Sequence, residues 1–212
     1  MAEPVYLHGY RYSVYSRIVR LVLLAKNVEH EMIEVDPFGD LSESYLKLHP
    51  FGRVPVLQHG SFTLFETGAI TRYIDRSFEG HSLQPNGAPA LARMDLIISV
   101  IDAYAYWPMV RQVSSHAFFR PLFGEESSRE EVAAGLERSS KVLSFLENIV
   151  REGEVLAGHD LTLADCHLAP MVDCFVRAKE GKAALSTHRT LQRWWDHMSC
   201  LEILKTTDPF AI

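Results

Sequence analysis

The hydrophobic period of this 212-residue chain changes near residue 80, and that change limits the fold more than any other feature. Before it, short β-prone runs alternate with helical ones. Val5 to Leu7 and Ile33 to Val35 read as strands, while Ile18, Leu21, Val22 and Ala25 recur at helical spacing between them. An amphipathic helix over about 14–27 follows, with Ser13 as its N-cap. The right-handed crossover rule makes the two strands of such a βαβ unit parallel. Ser42 to Leu48 reads as a short helix stopped by Pro50. Val54 to Leu57 and Phe62 to Phe65 read as a hairpin closed by Gln58-His59-Gly60-Ser61, and Glu66 opens a helix to about Phe78.

Residues 80–89 (Gly-His-Ser-Leu-Gln-Pro-Asn-Gly-Ala-Pro) have linker composition. Beyond them only helical periods occur, over about 90–118, 128–151, 162–177 and 187–200. Gly158 supplies a turn before the third of these, and Thr162-Leu163-Ala164-Asp165 has the form of a capping box. Thr206 to Phe210 reads as a tail. The expected architecture is an α/β domain over 1–79, a linker over 80–89 and an all-α helical bundle over 90–212.

Charge and motifs narrow the function. Lys+Arg 21 against Asp+Glu 27 gives a formal net charge of -6, which disfavours nucleic acid and other polyanions. The start of the chain lacks a signal-peptide apolar run, and runs such as Leu21 to Ala25 are too short to cross a bilayer. Cys166 and Cys174 fall eight positions apart on one helix, about 12 Å, beyond disulfide reach. A cytoplasmic protein is expected. Neither His-Glu-x-x-His nor Cys-x-x-Cys occurs, and no glycine-rich nucleotide loop, so neither metal nor nucleotide is expected.

Three positions could carry chemistry. Ser13 stands at a helix start, where its hydroxyl and the first-turn amides suit an anion or a thiolate; a bare N-cap is the other reading. Val54-Pro55 interrupts a β-prone run. It is either an edge strand with a trans proline or a cis bond that leaves the Val54 backbone to pair with an extended ligand. Glu66 and Thr67 open a helix whose amides and hydroxyl suit a carboxylate, with Glu66 either facing an ammonium or capping the helix. Tyr10, Tyr12 and Tyr15, and further on Tyr104, Tyr106, Trp107 and Met109, line either an apolar acceptor cleft or a buried seam, with Arg17, Arg20 and Arg111 as anion partners or surface charges.

In this order, and with an all-helical second half, these signals resemble the cytosolic glutathione transferase family, in its serine-type theta-, phi- or omega-like form of bacterial style. The resemblance spans essentially the whole chain. Its strongest pieces are His49-Pro50-Phe51-Gly52-Arg53-Val54-Pro55-Val56-Leu57 and Leu64-Phe65-Glu66-Thr67-Gly68-Ala69-Ile70, followed by Tyr73-Ile74 and by Gly158 with Leu161 to Asp165. It implies a thioredoxin-like domain that binds glutathione as co-substrate and a helical domain that supplies most of the pocket for a small apolar electrophile. Pro55 would be the family's cis-proline, Val54 would pair with the cysteinyl unit beside Arg53, and Glu66 and Thr67 would hold the γ-glutamyl end. Ser13 would hydrogen-bond the glutathione thiolate, with Tyr12 as its rival and Ser16 a weaker one, and the electrophile would lie near Tyr10, Tyr104, Trp107 and Arg111.

The chain departs from the pattern at Val14, where several classes carry proline. It departs also at Leu41, where relatives place a basic residue for the glycyl carboxylate; Arg53, His49 and His59 are the substitutes at hand. The resemblance implies a homodimer, with the first long helix and Phe62–Thr71 as interface candidates. Conjugation is the expected reaction. The alternatives are a glutathione-dependent isomerase or peroxidase, or a non-enzymatic binding or scaffold protein, which would need none of the side-chain chemistry at Ser13, Pro55, Glu66 and Thr67.

Overall fold

Alternation of strand and helix in the first eighty residues builds one sheet with helices packed on it. The computed structural model describes residues 3–156 and 160–211, and the turn expected at Gly158 lies outside them. Strand β1 (Val5–Gly9), helix α1 (Val14–Ala25), strand β2 (Glu31–Glu34), helix α2 (Glu43–Leu48), strands β3 (Val56–His59) and β4 (Phe62–Phe65) and helix α3 (Thr67–Ser77) follow in order. The sheet runs β2-β1-β3-β4. Strands β1 and β2 are parallel, as the crossover rule requires, while β3 pairs antiparallel with both β1 and β4.

Leu7 and Leu57 sit opposite each other in the β1–β3 ladder and so share one face. With Ile18 and Val22 of α1 and Ile70 and Ile74 of α3 they form a core that is essentially closed to solvent. Each such side chain contributes about 1.5–3 kcal/mol of burial. Lys26 and Asp75 form a buried ion pair at 3.4 Å, and the Lys26 ammonium also donates to the Gly80 and His81 carbonyls.

Two strands differ from expectation in where they begin and end. β3 begins at Val56 rather than Val54, and Gln58 and His59 belong to the strand, opposite Thr63 and Phe62. Gly60, at φ 57°, closes the hairpin with only Ser61 beside it. The β2 strand likewise starts and ends earlier than its apolar residues indicate, because its pairing is set by β1.

The chain divides into two compact units, Met1–Ser82 with Glu202–Ile212, and Leu83–Leu201. Among its described residues the second unit has helices and no strand. Helix α4 (Ala88–Val100) continues into a π-wound stretch, Ile101–Phe119, and the short α5 (Arg120–Leu122), where one helix over about 90–118 was expected. Pro108 lies inside the π-wound stretch, where it offers no N–H to the helical ladder. Helices α6 (Arg129–Glu152), α7 (Leu163–Arg177) and α9 (Arg189–Met198) match the sequence reading, and α8 (Lys179–Ser186) was missed. Its sequence is short and weakly patterned. Gly181 allows it to pack close to the end of α7, since a Cβ there would lie 2.1 Å from the Phe175 carbonyl oxygen.

The capping box forms as expected. Asp165 accepts from the Thr162 amide (2.8 Å), the Thr162 hydroxyl (2.7 Å) and the Trp194 indole N–H (2.7 Å), tying α7 to α9. Glu147 of α6 performs a similar service for α9, accepting from the Thr190 and Leu191 amides. Among the described residues no helix is long and apolar enough to cross a membrane.

The α6 helix meets the π-wound stretch at Gly135, where a Cβ would stand 2.8 Å from both Gln112 Cβ and Val113 Cγ2 and 2.9 Å from the Pro108 carbonyl oxygen. Gly135→Ala gains about 1 kcal/mol of helix propensity and loses more to overpacking, which typically amounts to about 1–3 kcal/mol. A net destabilisation is therefore expected, measured as a lower urea midpoint at unchanged m-value. A midpoint at or above wild type would show that the two helices separate without penalty.

Candidate active site

Strand pairing brings the three chemically marked segments of the first unit to one end of the sheet. His8, next to last in β1, lies opposite Val56 at the start of β3, and Val56 lies opposite Phe65 at the end of β4. The residues after β1 (Tyr10 to Ser13), before β3 (Gly52 to Pro55) and after β4 (Glu66 and Thr67) therefore emerge together.

Ser13 is half-buried at the start of α1. Its backbone is extended (φ -74°, ψ 121°), its amide donates to the Tyr10 carbonyl at 2.9 Å, and its Oγ accepts from the Ser16 amide at 3.3 Å. An oxygen that accepts in this way keeps its own hydrogen to donate. The turn around it is fixed from behind. The buried Ser16 hydroxyl accepts from the Tyr10 amide (3.2 Å), the Arg11 amide donates to Glu34 (2.9 Å), and a Cβ at Gly9 would stand 2.8 Å from Ser16 Oγ. Ser16 is thus a positioning residue for the turn, a role readable from its spacing of three from the N-cap. Tyr12 is placed differently: its ring packs on Tyr10 (centroids 5.6 Å apart) and on Phe210 (5.3 Å).

The Val54–Pro55 bond is cis, one of the two alternatives the sequence left open. Val54 is half-buried and lies beyond the last β1–β3 register pair. The loop before it is held by the Tyr45 hydroxyl, which donates to the Arg53 carbonyl at 2.5 Å; burial pushes the Tyr45 phenol up to about 12. The Arg53 side chain is exposed. Leu41 packs on the same loop, since a Cβ at Gly52 would stand 2.9 Å from its Cδ1.

Glu66 is the N-cap of α3 and adopts φ 72°, ψ 114°, a region that a non-glycine residue enters at a cost of about 1–3 kcal/mol. Its side chain is exposed and makes no capping bond, while its carbonyl accepts from the Ala69 and Ile70 amides. Thr67 is buried at the first helical position, where amides have no carbonyl partner within the helix. The sequence left Glu66 as either a cap or a ligand residue, and its carboxylate does not cap.

His49, at the C-cap of α2, stacks on Phe65 with centroids 4.6 Å apart and has only 2% of its surface exposed. Its carbonyl accepts from the Gly52 amide (2.9 Å), and no hydrogen-bond partner reaches its Nδ1. Burial lowers its pKa, the Glu66 carboxylate pulls upward and Arg53 pushes further down. The remaining sequence candidates lie in the second unit, on the π-wound stretch. Tyr104 and Trp107 are exposed there by 64% and 54%, and Arg111 is half-buried. Among the described residues no cluster of three His, Cys, Asp or Glu could hold a metal ion.

Comparison with known proteins bears on the family and the fold. The family model for the glutathione S-transferase N-terminal domain matches residues 7–82, and that for the C-terminal domain matches residues 110–202. Glutathione S-transferase F13 of Arabidopsis thaliana is 31% identical over 196 residues, covering 91% of this chain and 89% of its own. A glutathione S-transferase of Hyoscyamus muticus is 29% identical over 202 residues, covering 93% and 92%. Among solved structures, glutathione S-transferase III in its apo form superposes with a TM-score of 0.84 at 27% identity, covering 96% of this chain and 95% of that one.

The chain belongs to the glutathione S-transferase family. The expected thioredoxin-like domain with its all-helical companion stands, and so does the expected activity, transfer of glutathione to an electrophile.

His49 carries a pH dependence whose sign follows from its burial. Its folded pKa lies below the ordinary value of about 6.5, so between those two values the unfolded chain binds more protons. Stability is therefore full above about 6.5 and falls as pH drops toward the folded pKa. His49→Gln should flatten that part of the profile of melting temperature against pH. An unchanged slope in the variant would remove His49 from the account.

Proposed function

We propose that this transferase is of the serine type, theta-, phi- or omega-like, and that Ser13 donates a hydrogen bond to the glutathione thiolate. The observation that carries the reading is the meeting, at one end of the sheet, of an N-cap serine, a cis-proline loop and a strained helix start. A glutathione thiol has an ordinary pKa of about 8.5. A hydroxyl donor and the first-turn amides of α1 both favour its ionised form. The sulfur then attacks an electrophilic carbon: a C–S bond forms, the leaving group departs with its electron pair, and the thiol proton passes to solvent. Holding nucleophile and acceptor together lowers the barrier further.

In this reading Val54 pairs through its backbone with the cysteinyl unit across the cis Val54–Pro55 bond. The exposed Glu66 carboxylate meets the γ-glutamyl ammonium, Thr67 and the first amides of α3 meet its carboxylate, and Arg53 serves the glycyl carboxylate. Tyr12 is assigned to the aromatic surface rather than to the sulfur, because its ring is packed between Tyr10 and Phe210. Tyr10 in the first unit, and Tyr104, Trp107 and Arg111 in the second, are the proposed contacts for a small apolar electrophile. The proposed domain roles are glutathione on residues 1–79, the acceptor chiefly on 90–212 and 80–89 joining them, with Glu202–Ile212 packed into the first compact unit.

We also propose a cytoplasmic homodimer that needs neither metal nor nucleotide and binds no nucleic acid or membrane. Its compartment is supported by three cysteines that form no disulfide. Its assembly is supported by exposed apolar side chains in both expected interface regions, Phe62 on β4 and Leu96 on α4.

Ser13→Ala is expected to raise the pKa of bound glutathione toward that of the free thiol. It should lower kcat/KM at neutral pH by about one to two orders of magnitude, the worth of one hydrogen bond to a charged group. Thiolate absorbance against pH, with turnover of an aryl halide, measures both. An unshifted pKa in the variant, or a loss in Tyr12→Phe instead, would reassign the residue at the sulfur; binding without turnover in wild type would return the scaffold reading. Glu66→Gly separates strain from binding: glutathione affinity should fall while thermal stability does not. Loss of stability with affinity intact would make Glu66 a structural residue only.

A further inference from the structure

We infer that Phe210 is a specificity-determining residue of the acceptor site, which extends the aromatic surface beside Ser13 and favours planar aryl electrophiles. The inference rests on the reading that glutathione lies with its sulfur at Ser13. The sequence makes residues 206–210 a tail, but the structure gives them another role. Glu202–Thr206 is a helix, α10, and the residues after it are fastened to α1 and the turn before it.

The fastening is made by three arginines that all reach the last turns of the chain. The Arg17 guanidinium, 3% exposed, donates to the Leu204 carbonyl (2.9 Å) and the Thr207 hydroxyl (3.3 Å). Arg20 donates to the Thr207 carbonyl (3.3 Å) and Arg11 to the Pro209 carbonyl (3.2 Å). Asp208 Oδ1 then accepts from the Phe210 amide at 3.0 Å. Burial works against the charge of Arg20 and Arg17 and Arg11 add repulsion, which Glu34 partly offsets, so this fastening carries an electrostatic cost. These ties go largely to backbone carbonyls. The anchoring therefore does not depend on which side chain stands at 210.

What the ties position is an aromatic ring. Phe210 lies against Tyr12 at 5.3 Å between centroids and 35° between planes. Tyr12 meets Tyr10 edge-on at 5.6 Å, and Tyr10 meets Phe38 at 5.9 Å. Four rings thus run without a break from Phe210 through Tyr12, the neighbour of Ser13 in sequence, and Tyr10 to Phe38, which is 71% exposed. Electron-rich ring faces held rigid in this way stack on flat, electron-poor rings at little entropic loss.

The test is steady-state kinetics with 1-chloro-2,4-dinitrobenzene, in which a C–S bond replaces the C–Cl bond, chloride leaves and the thiol proton goes to solvent. Phe210→Ala and Phe210→Leu should raise KM for the aryl chloride about three- to tenfold, the range of one aromatic pair. KM for glutathione and the pKa of its bound thiol should stay within twofold and a few tenths of a unit respectively, and Phe210→Tyr should restore the wild-type value. Leucine keeps the apolar volume, so it carries the test if the alanine variant does not fold. An unchanged aryl chloride KM overturns the inference, as does a proportional rise in both KM values, which would make the ring a prop for the turn. Both outcomes leave wild-type turnover in place. Wild type that forms no conjugate overturns the transferase reading and this inference together.

Discussion

The antiparallel pairing of β1 with β3 is the constraint on which the site depends. Because His8 faces Val56, and Val56 faces Phe65, three loops far apart in sequence leave the sheet at the same end. None of the three makes the proposed glutathione site alone. A slip of one residue in that ladder would turn Leu7 and Leu57 out of the core, so the register that packs the sheet is the same one that aligns Ser13, Val54 and Glu66. Stability and site geometry share a single determinant.

The surroundings of the site are arranged to keep polar groups where water would otherwise compete. Ser16 hides behind the Ser13 turn and fixes it, Tyr45 holds the Arg53 carbonyl from below, and His49 fills the space between the α2 terminus and Phe65. Glu66 is the exception, since its backbone stays in a disfavoured region without a capping bond in return. Strain retained at one exposed acidic residue, within an otherwise satisfied turn, fits a side chain kept for a ligand.

Much of this was legible in the residues. The parallel β1–β2 pair, the N-caps at Ser13 and Thr162 and the helices over 129–152 and 163–177 follow from periodicity and capping chemistry, which are local. The misreadings came from interactions that are not local. β3 starts late because pairing with β1, rather than the β propensity of Val54, decides where a strand begins. α8 escaped notice because Gly181, a poor helix former by propensity, is required there by the Phe175 carbonyl. The part played by residues 202–210 was hidden for the same reason: Arg17 reads as a surface charge or an anion partner until the Leu204 carbonyl and Thr207 hydroxyl that accept from it, almost two hundred residues later, are seen. Thr67 was legible as a helix start, whereas the conformation of Glu66 was not, because nothing in a Phe-Glu-Thr sequence announces a positive φ.

The dependence of Arg17 on Leu204 and Thr207 has a consequence for how the chain comes to its folded state during synthesis. The sheet, α1 and α3 are all encoded before residue 80, so they leave the ribosome early and can assemble. The Leu204 carbonyl and the Thr207 hydroxyl that accept from Arg17 are made only after residues 83–201 of the helical unit. The first unit is therefore completed last, by a contact of very high sequence separation, of the kind that forms slowly. Until then the contacts of Arg17 and Arg20 with residues 204–207 are missing, and a partly assembled unit of this kind exposes the apolar surface that chaperones cover.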